Sequence, residues 1–248
     1  MATEDNEQNP FIRPGFIIAA VVVALIVVLG IVVGVVNATR SEPDPGPSSS
    51  PPLADKSAAP TTDSSAAEGG ASVCGLDGEV LSGSLSIAPK AEWEYQDVYA
   101  YPVSSEAGPA ETASEGYRFC FQHSPEGALF AAANATVTSF SSELRTAWLQ
   151  YALSEGQYRQ ELLMSADSDN NPDVRASIVG FRVLAYHGDT ARIDVAFEGI
   201  SGGEAVTGSV VYELIWVDGD WKLDASKPEP ARIAQLPDTA GYISWGKE

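Results

Sequence analysis

The chain has 248 residues and is strongly acidic, with 34 Asp and Glu against 14 Lys and Arg, a net charge of -20 and a sequence pI near 4.3. A field of that sign repels phosphate backbones, so direct nucleic-acid binding is not expected. With 44% hydrophobic residues the chain is still rich enough to bury one sizeable core.

Residues 1–15 form a short polar tail in which Glu4, Asp5 and Glu7 outnumber Arg13. The run from Phe16 to Val36 then carries no charge and no strong hydrogen-bonding side chain. At about 1.5 Å per helical residue it reaches ~32 Å, enough for a hydrocarbon layer of about 30 Å, and a helix satisfies its own backbone in lipid. Residues 16–36 are therefore predicted to be a transmembrane helix and the bilayer the first partner. A cleaved signal peptide competes, because Val36, Asn37 and Ala38 suit a small-residue cleavage site. The length of the apolar run and its weakly basic leader favour an uncleaved anchor. Gly30 and Gly34 make a G-x-x-x-G spacing, the candidate for helix packing within the membrane.

Residues 37–73 are rich in Pro, Ser, Ala and Gly, the chemistry of an extended linker. Arg13 and Arg40 flank the span almost symmetrically, so charge does not set its direction. The two cysteines decide it. Cys74 and Cys120 both lie beyond the linker, and an even pair in a non-cytosolic domain reads as a disulfide. The expected arrangement is a cytoplasmic N-terminus and an extracytoplasmic domain over residues 74–248. Closing a loop of about 46 residues would stabilise it by up to about 4 kcal/mol in the chain-entropy account. The competing reading joins Cys74, Cys120, His123 and His187 into a zinc site, but their spacing lacks the paired motifs of known zinc modules.

Between Cys74 and Phe121, short apolar pieces (80–87 and 93–101) broken by Gly, Pro and Ser predict strands and loops. Ser124 as N-cap, Pro125 at the first turn and Glu126 near the positive end mark a helix start. Leu129, Ala133, Val137 and Phe140 share one face of it. A second helix carries Leu144, Trp148 and Tyr151, and a third is expected from Ser154, where Ser154 and Gln157 match a capping box. The sequon Asn134-Ala135-Thr136 falls inside the first helix, and it and the sequon at Asn37 are taken as chance.

Asp167, Asp169, Asn171 and Asp173 alternate like calcium ligands, yet Pro172 and Ile178 occupy the positions of the required Gly and Glu. That segment reads as a loop. Beyond it Ala191, Ile193, Val195 and Phe197 alternate with Arg192, Asp194, Ala196 and Glu198, the period of a half-buried strand. Asp194 and Glu198 are thereby expected in solvent. Gly188-Asp189, Gly202-Gly203 and Asp218-Gly219 are hairpin signals. Four antiparallel strands follow, near 176–187, 190–199, 205–217 and 220–225, with Gly180 and Gly208 marking bulges or bends. No catalytic motif stands out, and neither a cofactor nor a metal is expected.

Helices followed by a curved sheet that ends in Trp216-Val217-Asp218-Gly219-Asp220-Trp221-Lys222-Leu223 resemble the nuclear transport factor 2-like superfamily. The resemblance implies an α+β cone, helices packed on a curved four-stranded antiparallel sheet. The segment Cys120-Phe121-Gln122-His123-Ser124-Pro125, with Gly127-Ala128-Leu129-Phe130-Ala131-Ala132-Ala133-Asn134, resembles single-span actinobacterial proteins associated with integrative and conjugative elements. In plan the chain is similar to inner-membrane scaffold subunits of type IV secretion systems. That similarity implies a non-enzymatic scaffold in a conjugative transfer apparatus, with other envelope or transfer-channel proteins as partners and homo-oligomer formation open. The alternative is an extracytoplasmic pocket protein that binds a small apolar ligand or lipid for transport or sensing.

Overall fold

A computed structural model describes residues 72–166 and 174–247. All described residues belong to one compact unit within residues 63–248. The expected span at 16–36, with Gly30 and Gly34, and the acidic loop from Asp167 to Asp173 lie outside the described residues. Among the described residues no helix is long and apolar enough to cross a membrane.

Two small ribbons come first. β1 (Glu92–Gln96) and β2 (Tyr99–Val103) form a hairpin, and β3 (Glu111–Thr112) pairs with β4 (Arg118–Phe119). Three helices follow, α1 (Pro125–Phe140), α2 (Ser142–Ala152) and α3 (Arg159–Ala166). The chain then builds β5 (Val174–Tyr186), β6 (Thr190–Ser201), β7 (Glu204–Val217), β8 (Asp220–Leu223), β9 (Ala231–Gln235) and β10 (Ile243–Ser244). These six make one antiparallel sheet in the order β10-β5-β6-β7-β8, with β9 also paired to β7.

The central hairpins form where turn chemistry and alternation agree. Gly202 and Gly203 both have positive φ and join β6 to β7 with Ser201 opposite Glu204. Asp218 and Gly219, also at positive φ, join β7 to β8. Such paired left-handed residues match the strands' right-handed twist. Gly180 sits at a register shift between Ile178 and Gly180, a bulge. Gly208 leaves room for Phe197, whose ring would lie 2.7 Å from a Cβ at that position.

Helix α1 is the centre of the core. It packs against β2 on one side and β6 on the other, and its alanines let both approach closely. Leu129, Phe130, Ala132 and Ala133 are fully buried, together with Phe181, Ile193 and Val195 of the sheet. Ser124 caps the helix as the sequence predicts, its Oγ accepting from the Gly127 N–H at 3.0 Å. The third helix begins later than expected. The Ser154 hydroxyl accepts from the Ala225 N–H instead of capping, and Gln157 reaches the Ser226 carbonyl.

The fold class expected from the sequence is corrected here. The domain is mostly β, with a six-stranded antiparallel sheet, two further ribbons and three helices, and not a four-stranded cone. The difference comes from residues 226–247, which return as β9 and β10. β9 is exposed at every position and β10 has two residues, so neither carries the alternation that reveals a strand. Between them the C-terminal segment lays Tyr242 over the outer sheet face. Asp194, expected in solvent, is 1% exposed there, accepting from the Tyr242 hydroxyl at 2.7 Å and paired with Arg182. Glu198 is exposed as expected.

Candidate functional site

Cys74 and Cys120 form the expected disulfide, with a Cα–Cα distance of 6.1 Å. Both sulfurs are thereby removed from the zinc reading, and among the described residues no group of three or more His, Cys, Asp or Glu is placed to hold a metal. The bond fixes the start of the described region to the end of β4. Further contacts hold the segment 72–89 along the domain. Val73 N–H donates to the Gly219 carbonyl at 2.8 Å, Val80 N–H to His123 at 2.8 Å, and the Gln122 side chain to the Asp77 carbonyl at 2.8 Å. Tyr186 and Trp245 donate side-chain bonds to the carbonyls of Val80 and Pro89.

His123 lies under this segment and is 3% exposed. Its ring stacks on Trp216 at 4.1 Å with nearly parallel planes and meets Trp221 edge-on. Glu79 Oε1 is 3.0 Å from Nδ1 and Asp189 Oδ1 is 3.2 Å from Nε2, both off the line of a good hydrogen bond. The two carboxylates are about half exposed, so the imidazole is a buried pin between the segment and the β5–β6 turn. His187 is exposed and takes no part.

Behind the disulfide is a second buried cluster. The Asp220 carboxylate accepts from the backbone N–H groups of Cys120 at 2.8 Å, Phe121 at 2.9 Å and Trp221 at 3.0 Å, and from the Tyr151 hydroxyl at 2.7 Å. Burial raises the carboxyl above its usual range, opposed by those donors. Burial and the adjacent Asp220 charge push Tyr151 up as well. Lys222, buried with its Nζ over the Tyr151 ring, is pushed down to about 8 by desolvation. With four donors on two oxygens, Asp220 is engaged as a clamp on the Cys120–Phe121 backbone, where Cys120 holds a φ of 67°. No acceptor capacity points at a substrate position.

Asn134 and Arg118 make a third polar contact inside the core. Arg118 Nε donates to Asn134 Oδ1 at 2.6 Å, and Asn134 Nδ2 donates to the carbonyls of Pro102 and Phe130. Burial lowers the Arg118 guanidinium to about 10. Arg118, Asn134, Tyr151 and Asp220 border a cavity of about 20 Å³, room for one water.

The large recesses are on the surface beside the pinned segment. A groove of about 1060 Å³ runs between Val80, Lys90, Val103, Glu106, Glu126 and the buried ring of Phe130. A smaller one of about 460 Å³ continues it along Gly75–Gly78 through Ser105, Glu106 and Gln122. Val73, Val80, Leu81 and Ile87 on the same segment are exposed at 54%, 44%, 52% and 77%. This is an open, partly apolar and acidic surface. The disulfide at its root was legible from cysteine number, and the Ser124 cap from its motif. The Asp220 clamp had no signal beyond the turn Asp218-Gly219, since apart from the adjacent Trp221 its partners are 69 to 100 residues away in sequence.

A family model described as a domain of unknown function (DUF8175) matches residues 54–244. No curated protein and no solved structure matches the chain.

Proposed function

We propose that this chain, which belongs to the DUF8175 family of domains of unknown function, is a non-enzymatic, membrane-anchored assembly subunit of the cell envelope. The assembly in this reading is a conjugative, type IV secretion-like transfer apparatus. Its domain stands on the extracytoplasmic side, held by the apolar run 16–36 and the linker 37–73, and it contacts other envelope or channel proteins.

The observation that carries the reading is the groove beside the disulfide-pinned segment, lined by the exposed Val80, with Leu81 and Ile87 exposed elsewhere on the same segment. Exposed apolar residues rimmed by charge are the composition of a protein-contact surface. The disulfide fits an oxidising compartment. The conjugative assignment rests on the resemblance of the Cys120–Asn134 segment and on the plan of tail, span, linker and outer domain. Preference over a lipid-binding pocket comes from the core itself, where Leu129, Phe130 and Tyr212 fill the space between helices and sheet.

Transfer frequency from donor cells tests the proposal. Donors making the chain with Val80→Asp and Ser105→Trp in the groove are expected to lose transfer at normal protein level. Transfer unchanged by these substitutions and by removal of residues 72–248 would refute it.

A further inference from the structure

The β9 edge of the sheet carries a second surface. β7 is long enough to pair with β8 through residues 214–217 and with β9 through residues 208–212. β8 is covered on its far side, where Leu153 bridges Leu223. β9 has only β7 as a strand neighbour among the described residues.

The register tells which backbone groups of β9 are in use. Glu213 N–H donates to the Pro230 carbonyl and Leu236 N–H to the Thr207 carbonyl, and both couples lie on the β7–β9 register. Hydrogen-bonded couples alternate along an antiparallel ladder. Residues 230, 232, 234 and 236 therefore face β7. The N–H and C=O groups of Ala231, Ile233 and Gln235 face outward, with no strand beyond them among the described residues. All five β9 residues are exposed, and Ile233, at the centre, is 74% exposed. Pro230 and Pro237 bound the edge at each end.

We infer that this edge pairs with β9 of a second copy of the chain, antiparallel and two-fold symmetric about Ile233. Three two-fold registers use the outward groups. Centring on Arg232 leaves Gln235 outside the ladder of β9 residues and sets Arg232 against its own copy, a like-charge contact. Centring on Ala234 leaves Ala231 outside. Centring on Ile233 engages Ala231, Ile233 and Gln235 together, with Ala231 opposite Gln235 and Arg232 opposite Ala234. Such an interface is isologous and closes at two copies, so it does not propagate into a fibre. A five-residue pairing is short for free proteins. Two copies held in one membrane meet at the high effective concentration that closes it. The inference deepens the assembly-subunit reading, on which it rests for that tether, by naming one partner.

The test uses the full-length chain in its own membranes. Its two cysteines are paired with each other, so an introduced thiol is the only free one. Residues facing each other in a hydrogen-bonded pair have Cα atoms about 5.5 Å apart, within disulfide reach. Under mild oxidation Ile233→Cys is expected to give about tenfold more disulfide dimer than the exposed control Ile200→Cys, the margin of a held pair over collision. A mixture of Ala231→Cys and Gln235→Cys chains should dimerise, while each alone stays at the control level. Ile233→Pro removes an outward N–H that β7 does not use, and should abolish the mixed dimer. Control-level dimer for Ile233→Cys, Ala231→Cys alone matching it, or a mixed dimer indifferent to Ile233→Pro would each overturn the pairing. Groove substitutions that still abolish transfer would then leave the assembly reading standing. Transfer that survives them while the dimer forms would do the reverse.

Discussion

Replacing Asp220 tests the internal logic of the domain most sharply, because one carboxylate holds four donors from three parts of the chain. In Asp220→Ala the Cys120 and Phe121 N–H groups lose their acceptor in a site where Asp220 itself is 1% exposed. Each buried orphan donor costs about 1–3 kcal/mol. Tyr151 is half-buried and recovers part of its loss from water, and removing a buried charge returns some desolvation energy. The net expectation is about 4 kcal/mol of lost stability. Asp220→Asn keeps one oxygen but turns an NH₂ toward donors, for about 2 kcal/mol, and Tyr151→Phe removes a single donor for about 1 kcal/mol. The assay is urea unfolding followed by tryptophan fluorescence, since all five tryptophans lie beyond residue 72. Asp220→Ala within about 1 kcal/mol of the parent, or Asp220→Asn as damaging as Asp220→Ala, would refute the clamp.

Further outcomes follow from single contacts. Cys74→Ser is expected to lower stability by up to about 4 kcal/mol, the chain-entropy value for a 46-residue separation, read as a drop in the urea midpoint that reductant reproduces in the parent. Gly127→Ala should cost at least about 3 kcal/mol or prevent folding, because a Cβ there would lie 1.9 Å from the Gln122 carbonyl oxygen; normal melting would contradict this. Lys222 is depressed to about 8 in the folded state, so between that value and its unfolded value the unfolded chain binds more protons and stability rises with pH. The buried tyrosines act oppositely above about pH 10, and Lys222→Met should remove the rise between pH 8 and 10, measured as unfolding midpoints across that window.

How much of this was readable in the sequence depended on whether the signal was local. β5 to β8 fall within a few residues of the expected positions, because period-two alternation and glycine turns act over short spans. The Ser124 cap and the disulfide were similarly visible. What escaped was set by distant chain. Asp194 looks solvent-facing from its own strand and is buried by Tyr242, 48 residues later. Asn134 looks like a chance sequon and is an internal partner of Arg118 and Pro102. Helix α1 showed one apolar face, yet it is covered on nearly all sides because β2 closes over it. β9 has no buried face, so no pattern of hydrophobicity was available to reveal it.

The central claim is that the chain is an anchored contact subunit of a transfer assembly. Crosslinking of the full-length protein in its native membranes, with identification of every attached partner, tests it most directly. The account predicts a transfer ATPase and channel subunits, attached through residues of the 72–89 segment and the adjoining groove. Lipid-transport components, or no partner but the chain itself, would contradict it.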